Sequence, residues 1–582
     1  MTYRIWLASV SATALLVAAP VAAEIEDYSP VTADRLQNPE AGNWLMKRRT
    51  YDGQGHSELD EINRDNVGEL REVWHSSTEP YEALTDFAAL PARGAHQSPA
   101  IVNDGVMFVT THDQQVIAFD AATGEEHWRY RWELPAGIVP IHPTNRGVAL
   151  YEDKVYFTTF DAHVVALDAK TGEHVWDHQI ADWMDGYYMT LAPLVVDGKV
   201  MVGPSGGEFG IRGFVVALDW ESGEEIWKTY TIPGPGEEGN DSWPGDTWER
   251  GGAPTWITGV YDPEYNIAYW GTGNAAPWPG VLRPGDNLYT TSTIGLDVET
   301  GEIKTHFQYQ PNESWDWDEV VPPALLDLEN GEGTEKLALR FARNGYLYKF
   351  NREGGELSFI DAVPYVYQNV FESIDPETGR PEYDPEHYPR LGERVDFCPS
   401  AWGGRDWPAD AYNPDHRLMF VSVNENHCGW MNAQEVEYEP GVLYLGSGLE
   451  VVFTMPEAEE HIGALQAWDV ETLEKKWQVN FESSNWGPIL STGGDLVFVG
   501  GTSDAMFRAF DAETGDEVWS QRLDGGIVSP PTSFEIDGKQ YIAAVTGWGV
   551  DADRMQGFIN EQLGIDPEIP QGGSVYVFAL PD

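Results

Sequence analysis

The sequence predicts an all-β protein, an eight-bladed β-propeller whose insertion loops cap one site. Two observations carry this prediction: a Trp-ended turn motif recurs along the chain, and the composition favours many short strands joined by turns. The 582 residues include 60 Gly, 38 Pro and 24 Trp, and 42% are hydrophobic. Such a chain can bury a large core, which argues against disorder despite its high charge.

The recurring motif reads apolar-x-Asp-x-x-Thr-Gly-Glu-x-x-Trp. Near-full copies occupy residues 118–128, 166–176, 217–227, 467–477 and 509–519, with a copy lacking the Trp at 295–305 and a weaker one at 350–359. Each copy predicts a hairpin, because the Asp can accept backbone N–H bonds in the turn and the Gly supplies a positive φ. The Trp then begins the next strand and can pack between neighbouring sheets.

The spacing of the copies gives the blade count. The motif Asp residues are 48 and 51 residues apart over the first three copies and 42 apart over the last two. This is the period of a four-stranded blade. The 172 residues between Asp297 and Asp469 leave room for about three more blades. Because a blade buries its faces only against its neighbours, we expect one domain over residues 24–582 rather than several.

The N-terminus has the pattern of a signal peptide. Arg4 precedes an apolar run from Ile5 to Val17, and the small residues before Glu24 form a cleavage site, so residues 1–23 are expected to be removed. No later stretch approaches the ~20 apolar residues of a membrane span. The sequence therefore predicts an exported protein without a membrane span, periplasmic in a Gram-negative cell.

Charge and cysteine content exclude several function classes. The formal net charge is −60, from 35 Lys and Arg against 95 Asp and Glu. Such a surface repels nucleic acid and anionic lipid and attracts a basic partner, although an acidic proteome from a salty habitat gives the same balance. Two Cys exclude an iron–sulfur protein, and no Cys-x-x-Cys-His motif is present to carry a c-type haem.

Three long stretches do not follow the repeat. Residues 234–252, 364–396 and 426–452 are rich in Pro, Gly, acidic and aromatic residues. We expect them to form cap or insertion loops rather than blade strands. Loops on a rigid scaffold commonly carry the functional site.

Four oxygen-bearing side chains are candidate ligands of a hard cation. Glu208 lies in a Gly-rich turn, Asn274 follows a strand, and Asp316 and Asp318 flank Trp317. Carboxylate and amide oxygens suit such ions. Each could instead cap a turn, so the cluster gains its weight from the motifs around it.

Those motifs resemble the quinoprotein alcohol dehydrogenases. The resemblance rests on GPSGGEFGIRG (203–213), WGTGNAAPW (270–278) and SWDWD (314–318) and extends from Trp44 to the C-terminus. It implies a secreted enzyme that uses pyrroloquinoline quinone (PQQ) and a metal ion to oxidise an alcohol to an aldehyde or ketone. It further implies a soluble c-type cytochrome as electron acceptor, which the −60 charge would attract if basic. A quinoprotein acting on sugars or polyols and a non-catalytic envelope-assembly scaffold are the alternatives, and a homodimer stays open.

The resemblance also assigns the ligand set. It makes Glu208 and Asn274 metal ligands, and Asp316 both a ligand and the general base. Asp318 matches a position that is acidic in the lanthanide-dependent relatives. Three carboxylates repel one another around Ca²⁺ and suit a trivalent ion better, so we expect a lanthanide, with calcium as the alternative.

The cofactor contacts follow in the same way. Trp256 matches the indole that stacks under the quinone, and Arg343 matches the Arg that donates to the quinone oxygen and assists catalysis. Further contacts are implied for Gln97, Arg146, Thr190, Ser205, Gly206, Gly207, Asn424, Trp486, Gly547 and Trp548. Hydride transfer and addition of the alkoxide to the quinone carbonyl both remain open.

The chain lacks one pair of cysteines found in the family and has another. Many relatives have two adjacent Cys six residues before the position of Arg146, where this chain reads Pro140-Ile141-His142. In those relatives the two Cys form a disulfide ring over the quinone. This chain cannot form that ring, so we expect Ile141 or His142 to cover the quinone instead. Cys398 and Cys428 match a second disulfide of the family.

Overall fold

The computed structural model describes residues 24–78, 96–138, 140–331, 333–565 and 567–582, so the predicted signal peptide 1–23 lies outside the described residues. Strands dominate, as predicted. The described α-helices are α1 (Ala33–Gln37) and α2 (Val550–Leu563). Short 3₁₀ helices span Val67–Glu69, Trp183–Asp185, Gly207–Phe209, Asn240–Ser242, Thr247–Arg250, Gly280–Leu282, Glu353–Gly355 and Pro456–Glu459. In this described part, no helix has the length and apolar character needed to cross a membrane.

Most strands belong to antiparallel sheets of four, which follow one another along the chain. Sheet I contains Ile101–Asn103, Val106–Thr110, Gln115–Asp120 and Glu126–Arg131. Sheet II contains Ala149–Tyr151, Lys154–Thr158, His163–Asp168 and His174–Gln179. Sheet III contains Leu194–Val196, Lys199–Val202, Phe214–Asp219 and Glu225–Tyr230. Sheet IV contains Val260–Asp262, Ile267–Gly271, Ser292–Asp297 and Ile303–Gln308.

The second half of the chain continues this arrangement. Sheet V contains Ala324–Asn330, Gly333–Phe341, Tyr346–Asn351 and Ser358–Pro364. Sheet VI contains Ala411–Asn413, Leu418–Asn424, Gly463–Asp469 and Lys475–Phe481. Sheet VII contains Leu490–Thr492, Leu496–Val499, Met506–Asp511 and Glu517–Arg522, with His56–Ser57 added in parallel. Sheet VIII contains Thr532–Ile536, Lys539–Val545, Ser574–Ala579 and Arg71–Ser77. Sheet VIII thus joins an early strand, Arg71–Ser77, to the last strand of the chain, Ser574–Ala579.

The Trp-ended motif forms the predicted hairpin and also joins successive sheets. In the first copy, Asp120 Oδ1 accepts the backbone N–H groups of Ala122 (3.0 Å) and Thr123 (2.8 Å). The Trp128 indole of sheet I lies against the turn of sheet II, where its Nε1 donates to Ala169 O (3.0 Å). Trp74, Trp176, Trp227 and Trp477 make the equivalent bond to the next turn. Each indole also occupies the space that a Cβ on the Gly of the contacted turn would need, so each of these turns requires glycine.

Two of the stretches predicted as loops contain small sheets of their own. Phe371–Ile374 pairs with Pro381–Tyr383, and Val395–Phe397, His427–Ala433 and Ser447–Thr454 form a three-stranded sheet. They lie outside the four-stranded sheets, as expected, but the prediction of loops alone was wrong because distant segments pair with one another. The predicted Cys398–Cys428 disulfide is formed and joins two of these strands.

Candidate active site

A cavity of about 480 Å³ of empty space gathers many of the predicted site residues. Its lining comprises His142, Arg146, Tyr188, Thr190, Ser205, Gly206, Glu208, Trp256, Asp316, Asp318, Arg343, Trp402, Asp406 and Asp551. These residues come from loops within and between the four-stranded sheets, from the segment between Phe397 and Ala411, and from the first turn of α2. One side of the cavity is acidic and another carries a buried arginine, so it can hold groups of opposite charge.

The Trp-Asp-Trp-Asp segment points its acids and its indoles in different directions. Trp315 and Trp317 are fully buried and stack on each other with ring centroids 5.1 Å apart, while Asp316 and Asp318 line the cavity. Asp316 has a positive φ of 66°, an uncommon conformation for a residue with a side chain. The buried Glu313 holds this segment, because its Oε1 accepts the backbone N–H groups of Trp315 (2.5 Å) and Trp317 (3.0 Å).

Glu208 and Asn274 are brought close together by glycine. Gly206 has a φ of 112°, and a Cβ added to Gly207 would lie 2.2 Å from Asn274 Oδ1, so this turn needs glycine. The backbone carbonyl of Glu208 accepts the N–H of Tyr444 (2.7 Å), which ties the turn to the insertion of residues 426–452.

Asp318 is the centre of the acidic side. It accepts hydrogen bonds from Trp256 Nε1 (2.7 Å) and from the backbone N–H of Asn274. The nearer side-chain amide atom of Asn274 lies 3.3 Å from Asp318 Oδ1. A nitrogen in that place donates to the carboxylate, and Trp278 Nε1 then donates to the amide oxygen (3.0 Å). If the amide oxygen occupied that place instead, two acceptors would face each other. Two oxygen ligands of one cation are arranged in this way.

The three acids predicted as metal ligands, Glu208, Asp316 and Asp318, all have raised pKa values. Burial, with repulsion from Asp318 and Glu208, raises the pKa of Asp316 well above its usual value. Burial also raises the pKa of Glu208, and it raises the pKa of Asp318 to about 6 although Arg343 opposes this. As placed, no three His, Cys, Asp or Glu side chains of the described ranges already hold a common metal-binding point. The donor set nevertheless fits a cation, because a positive ion would relieve this repulsion.

Arg343 is fixed by its neighbours on the acidic side. Its guanidinium forms a close ion pair with buried Asp406 and donates to the backbone carbonyl of Asp316 (2.7 Å). Its Nη2 lies 4.0 Å from Asp318 Oδ2. These carboxylates outweigh the effect of burial and raise the pKa of Arg343 above its ordinary value, so it stays charged.

A second ion pair, fully buried, holds the backbone of Arg343. Glu319 pairs with Arg340 (2.9 Å) and accepts the backbone N–H of Arg343 (3.0 Å). Burial raises the pKa of Glu319 to about 7 even though Arg340 lowers it. Glu319 directly follows Asp318 in the sequence, but no sequence motif singles it out, because its role depends on partners from another strand.

The cavity also contains a buried cation whose hydrogen-bond partner is neutral. Arg146 Nη1 donates to the hydroxyl of Thr190 (2.5 Å), which lies 3.1 Å from Ser205 Oγ. Arg146 Nε has no hydrogen-bond partner among the described residues, and its guanidinium lies 4.6 Å from the centre of the Trp256 ring. Burial lowers the pKa of Arg146 to about 10. A buried arginine beside an aromatic ring fits a flat anionic ligand. PQQ is such a ligand, because it is planar and carries carboxylates.

His142 lines the cavity, and its predicted role of covering the quinone stays a prediction. Its Nδ1 lies 2.9 Å from Asp551 Oδ1, in the first turn of α2, and Arg554 of the same helix donates to Ile141 O (3.2 Å). Burial opposes the charged imidazole, but Asp551 outweighs it and raises the pKa of His142. The Ile141 side chain packs in a separate hydrophobic cluster with Tyr188. Asp551 and α2 were not identified from the sequence.

Seven predicted site residues do not line this cavity: Gln97, Gly207, Asn274, Asn424, Trp486, Gly547 and Trp548. Trp486 and Trp548 are fully buried in the hydrophobic cluster that Trp256 contacts. Their indole nitrogens and Gln97 Oε1 have no hydrogen-bond partner among the described residues. Asn424 bonds to the backbone of Asn485 (2.8 Å).

Comparisons with known proteins identify the family of the chain. The family model "PQQ: Glucose/ethanol/alcohol dehydrogenase, beta-propeller domain" matches residues 44–364 and 454–542. The quinoprotein alcohol dehydrogenase PedH of Pseudomonas putida is 35% identical, over 98% of this chain and 96% of PedH. A quinoprotein ethanol dehydrogenase of Pseudomonas putida is 34% identical, over 97% of this chain and 95% of its own. Among solved structures, a europium-containing methanol dehydrogenase superposes with a TM-score of 0.85 at 32% identity, covering 94% of this chain and all of that one.

The fold and the site define a β-propeller of the quinoprotein type, with an acidic pocket that also contains a buried arginine. The chain belongs to the PQQ-dependent glucose, ethanol and alcohol dehydrogenase family. The enzyme class predicted from the sequence, a quinoprotein alcohol dehydrogenase, is thereby confirmed.

Proposed function

We propose that this protein is an exported alcohol dehydrogenase that uses PQQ and one lanthanide ion. The observation that carries the proposal is that Glu208, Asp316, Asp318 and Arg146 line one cavity. The europium-containing methanol dehydrogenase that the chain resembles supports a lanthanide rather than calcium. So does Asp318, because its carboxylate adds a third negative charge to the donor set.

The architecture we propose around this cavity is one domain, residues 24–582, with eight blades in a closed ring. Sheets I to VIII of the described residues support it, since each has four antiparallel strands and the motif indoles link one sheet to the next. The shared strands of sheet VIII support closure of the ring by the two ends of the chain.

Each side of the cavity has a proposed ligand. Glu208, Asn274, Asp316 and Asp318 would hold the metal ion, and Arg146, Thr190, Ser205 and Gly206 would receive a carboxylate of PQQ. Trp256 offers its ring as a flat apolar face, while Gly207 is required by the turn. Gln97 Oε1 and the indole nitrogens of Trp486 and Trp548 are unpaired among the described residues, which supports contacts of these side chains with PQQ. The contacts of Asn424 and Gly547 with PQQ stay predictions.

The residues of this chain perform the acid–base part of the reaction. When bound, PQQ with its metal ion accepts the two electrons released by oxidation of the alcohol. Asp316 accepts the hydroxyl proton of the alcohol, which it can do because a bound cation favours its ionised form. Arg343, held by Asp406 and the Asp316 carbonyl, stays positively charged in the cavity and would stabilise negative charge that develops on a bound quinone oxygen. Tyr188 and Trp402 line the cavity and limit the access of water.

The product is an aldehyde or ketone, and the electrons leave to another carrier. We propose a soluble c-type cytochrome in the periplasm, reached after removal of the signal peptide. The −60 charge supports a basic partner, because opposite charges speed association. A homodimer is compatible with this arrangement.

Reconstitution tests the function. Protein freed of cofactor is loaded with PQQ and La³⁺ and assayed with an artificial electron acceptor against simple alcohols, sugars and polyols. We expect alcohol oxidation in the wild type and in the exposed control Asp361→Asn. We expect at least a 100-fold loss of turnover in Asp316→Asn, with the quinone absorbance retained. Turnover of sugars alone would support the polyol alternative, and full activity of Asp316→Asn would remove Asp316 as the base.

A further inference from the structure

A second cavity lies beneath the candidate active site and is not used by the reaction. It contains about 800 Å³ of empty space and is lined by the first strands of sheets II to V and by residues 45–53. We call it the inner-strand cavity. Ile257 and Trp407 form its boundary on the side of the active site, since Ile257 follows Trp256 and the Trp407 ring lies 5.2 Å from Arg146 Cζ.

Its wall is mainly apolar but includes two adjacent cations. Leu45, Leu150, Val195 and Val260 contribute apolar surface, while Lys47 and Arg48 contribute positive charge. Adjacent cations in an apolar wall are costly unless anions neutralise them.

Neither cation has an anionic partner. Lys47 forms no hydrogen bond or ion pair with any residue in the described ranges. Arg48 makes one hydrogen bond, from Nη1 to the Ile489 carbonyl (3.3 Å). Its buried Nη2 packs against Gly55, at the edge of the cavity lining, and has no hydrogen-bond partner among the described residues. The lining carboxylate, Asp410, is in a close ion pair with Arg405.

The electrostatics agree with this geometry. Burial, with repulsion from Arg146 and Arg48, lowers the pKa of Lys47 well below its usual value. Burial lowers the pKa of Arg48 to about 10, although the charges of Asp410 and Asp52 partly oppose this. Loss of a proton could neutralise the lysine, but the guanidinium stays charged at neutral pH and its Nη2 still lacks an acceptor.

We propose that the inner-strand cavity binds a small aliphatic monocarboxylate, with its carboxylate on Lys47 and Arg48 and its chain against the apolar wall. A carboxylate supplies acceptors to both cations, and a guanidinium donates to it in a charge-assisted bond. The apolar lining excludes a strongly hydrated anion such as sulfate, which would lose its water without replacement. The proposal is independent of alcohol oxidation, because none of these residues lines the active-site cavity.

Titration calorimetry of the holoenzyme with hexanoate tests the affinity. The comparison ligand is hexanol, which has the same chain without the charge, and the comparison proteins are Lys47→Met, Arg48→Met and the surface control Lys304→Met. We expect hexanoate to bind wild type and Lys304→Met alike, and roughly tenfold or more weaker binding in each cavity variant. Equal binding by all four proteins, or no binding to the wild type, would overturn the proposal.

A crystal soaked with 6-bromohexanoate tests the place, and it does not depend on the folding of a variant. We expect the anomalous signal of bromine between Leu150 and Val260 in the wild type. A bromine signal only in the active-site cavity would overturn the proposal. In the calorimetry, the proposal would also be overturned if chloride alone gave the same difference in heat between wild type and the cavity variants and hexanoate added nothing to it. Alcohol oxidation measured on the same samples reports separately on the proposed function.

Discussion

Replacing Gly172 with alanine tests how the Trp-ended motif holds neighbouring sheets together. Gly172 has a φ of 71°, and a Cβ there would lie 2.6 Å from Trp128 Cε3. Two costs follow for Gly172→Ala. The left-handed conformation costs about 1 kcal/mol for a residue with a Cβ. The indole must also move by roughly 1 Å, which breaks the bond from its Nε1 to Ala169 O and leaves a buried donor unpaired, at about 2 kcal/mol.

The free energy of unfolding should therefore fall by about 3 kcal/mol. Gly354→Ala is the matched control, because Gly354 has a φ of 73° and a Cβ there would meet no atom within 4 Å. It should cost only the backbone contribution, about 1 kcal/mol. Urea unfolding followed by tryptophan fluorescence measures both. Equal losses in the two variants would refute the view that the indole joins the sheets through this contact.

Two further predictions concern the insertions and α2. Removing the disulfide as Cys398→Ala with Cys428→Ala should lower the free energy of unfolding by about 3.5 kcal/mol, because the bridge closes a loop of 30 residues; an unchanged urea midpoint would contradict this. Asp551 raises the pKa of His142, so this pair contributes stability that is fully present below about pH 6.5 and is lost as the pH rises through the raised value. The difference in unfolding free energy between wild type and His142→Gln should thus be larger at pH 5.5 than at pH 9, and a difference that grows with pH would refute the pairing.

The repeat could be predicted from the sequence because its physics is local. The turn around Asp120 needs an acceptor, a hydroxyl and a glycine within a few residues, and all are visible in the chain. The Trp-Asp-Trp-Asp segment was identified only through the family resemblance. The structure adds that its indoles lie in a buried cluster while its acids line the cavity.

The supporting residues could not be predicted because their partners are remote. Asp406 matters only because it pairs with Arg343, and Asp551 only because α2 comes within 2.9 Å of His142. The strands within 364–396 and 426–452 form by pairing across the insertions, so neither segment reads as a strand by itself.

The role of Asp318 is the most direct test of the account, because it distinguishes a site built for a trivalent ion from a general acidic pocket. Wild type and Asp318→Ser are freed of metal, loaded with PQQ and titrated with La³⁺ or Ca²⁺ while alcohol oxidation is followed. The account predicts that the substitution weakens activation by La³⁺ at least tenfold more than activation by Ca²⁺. Equal weakening with both ions, or none, would contradict it.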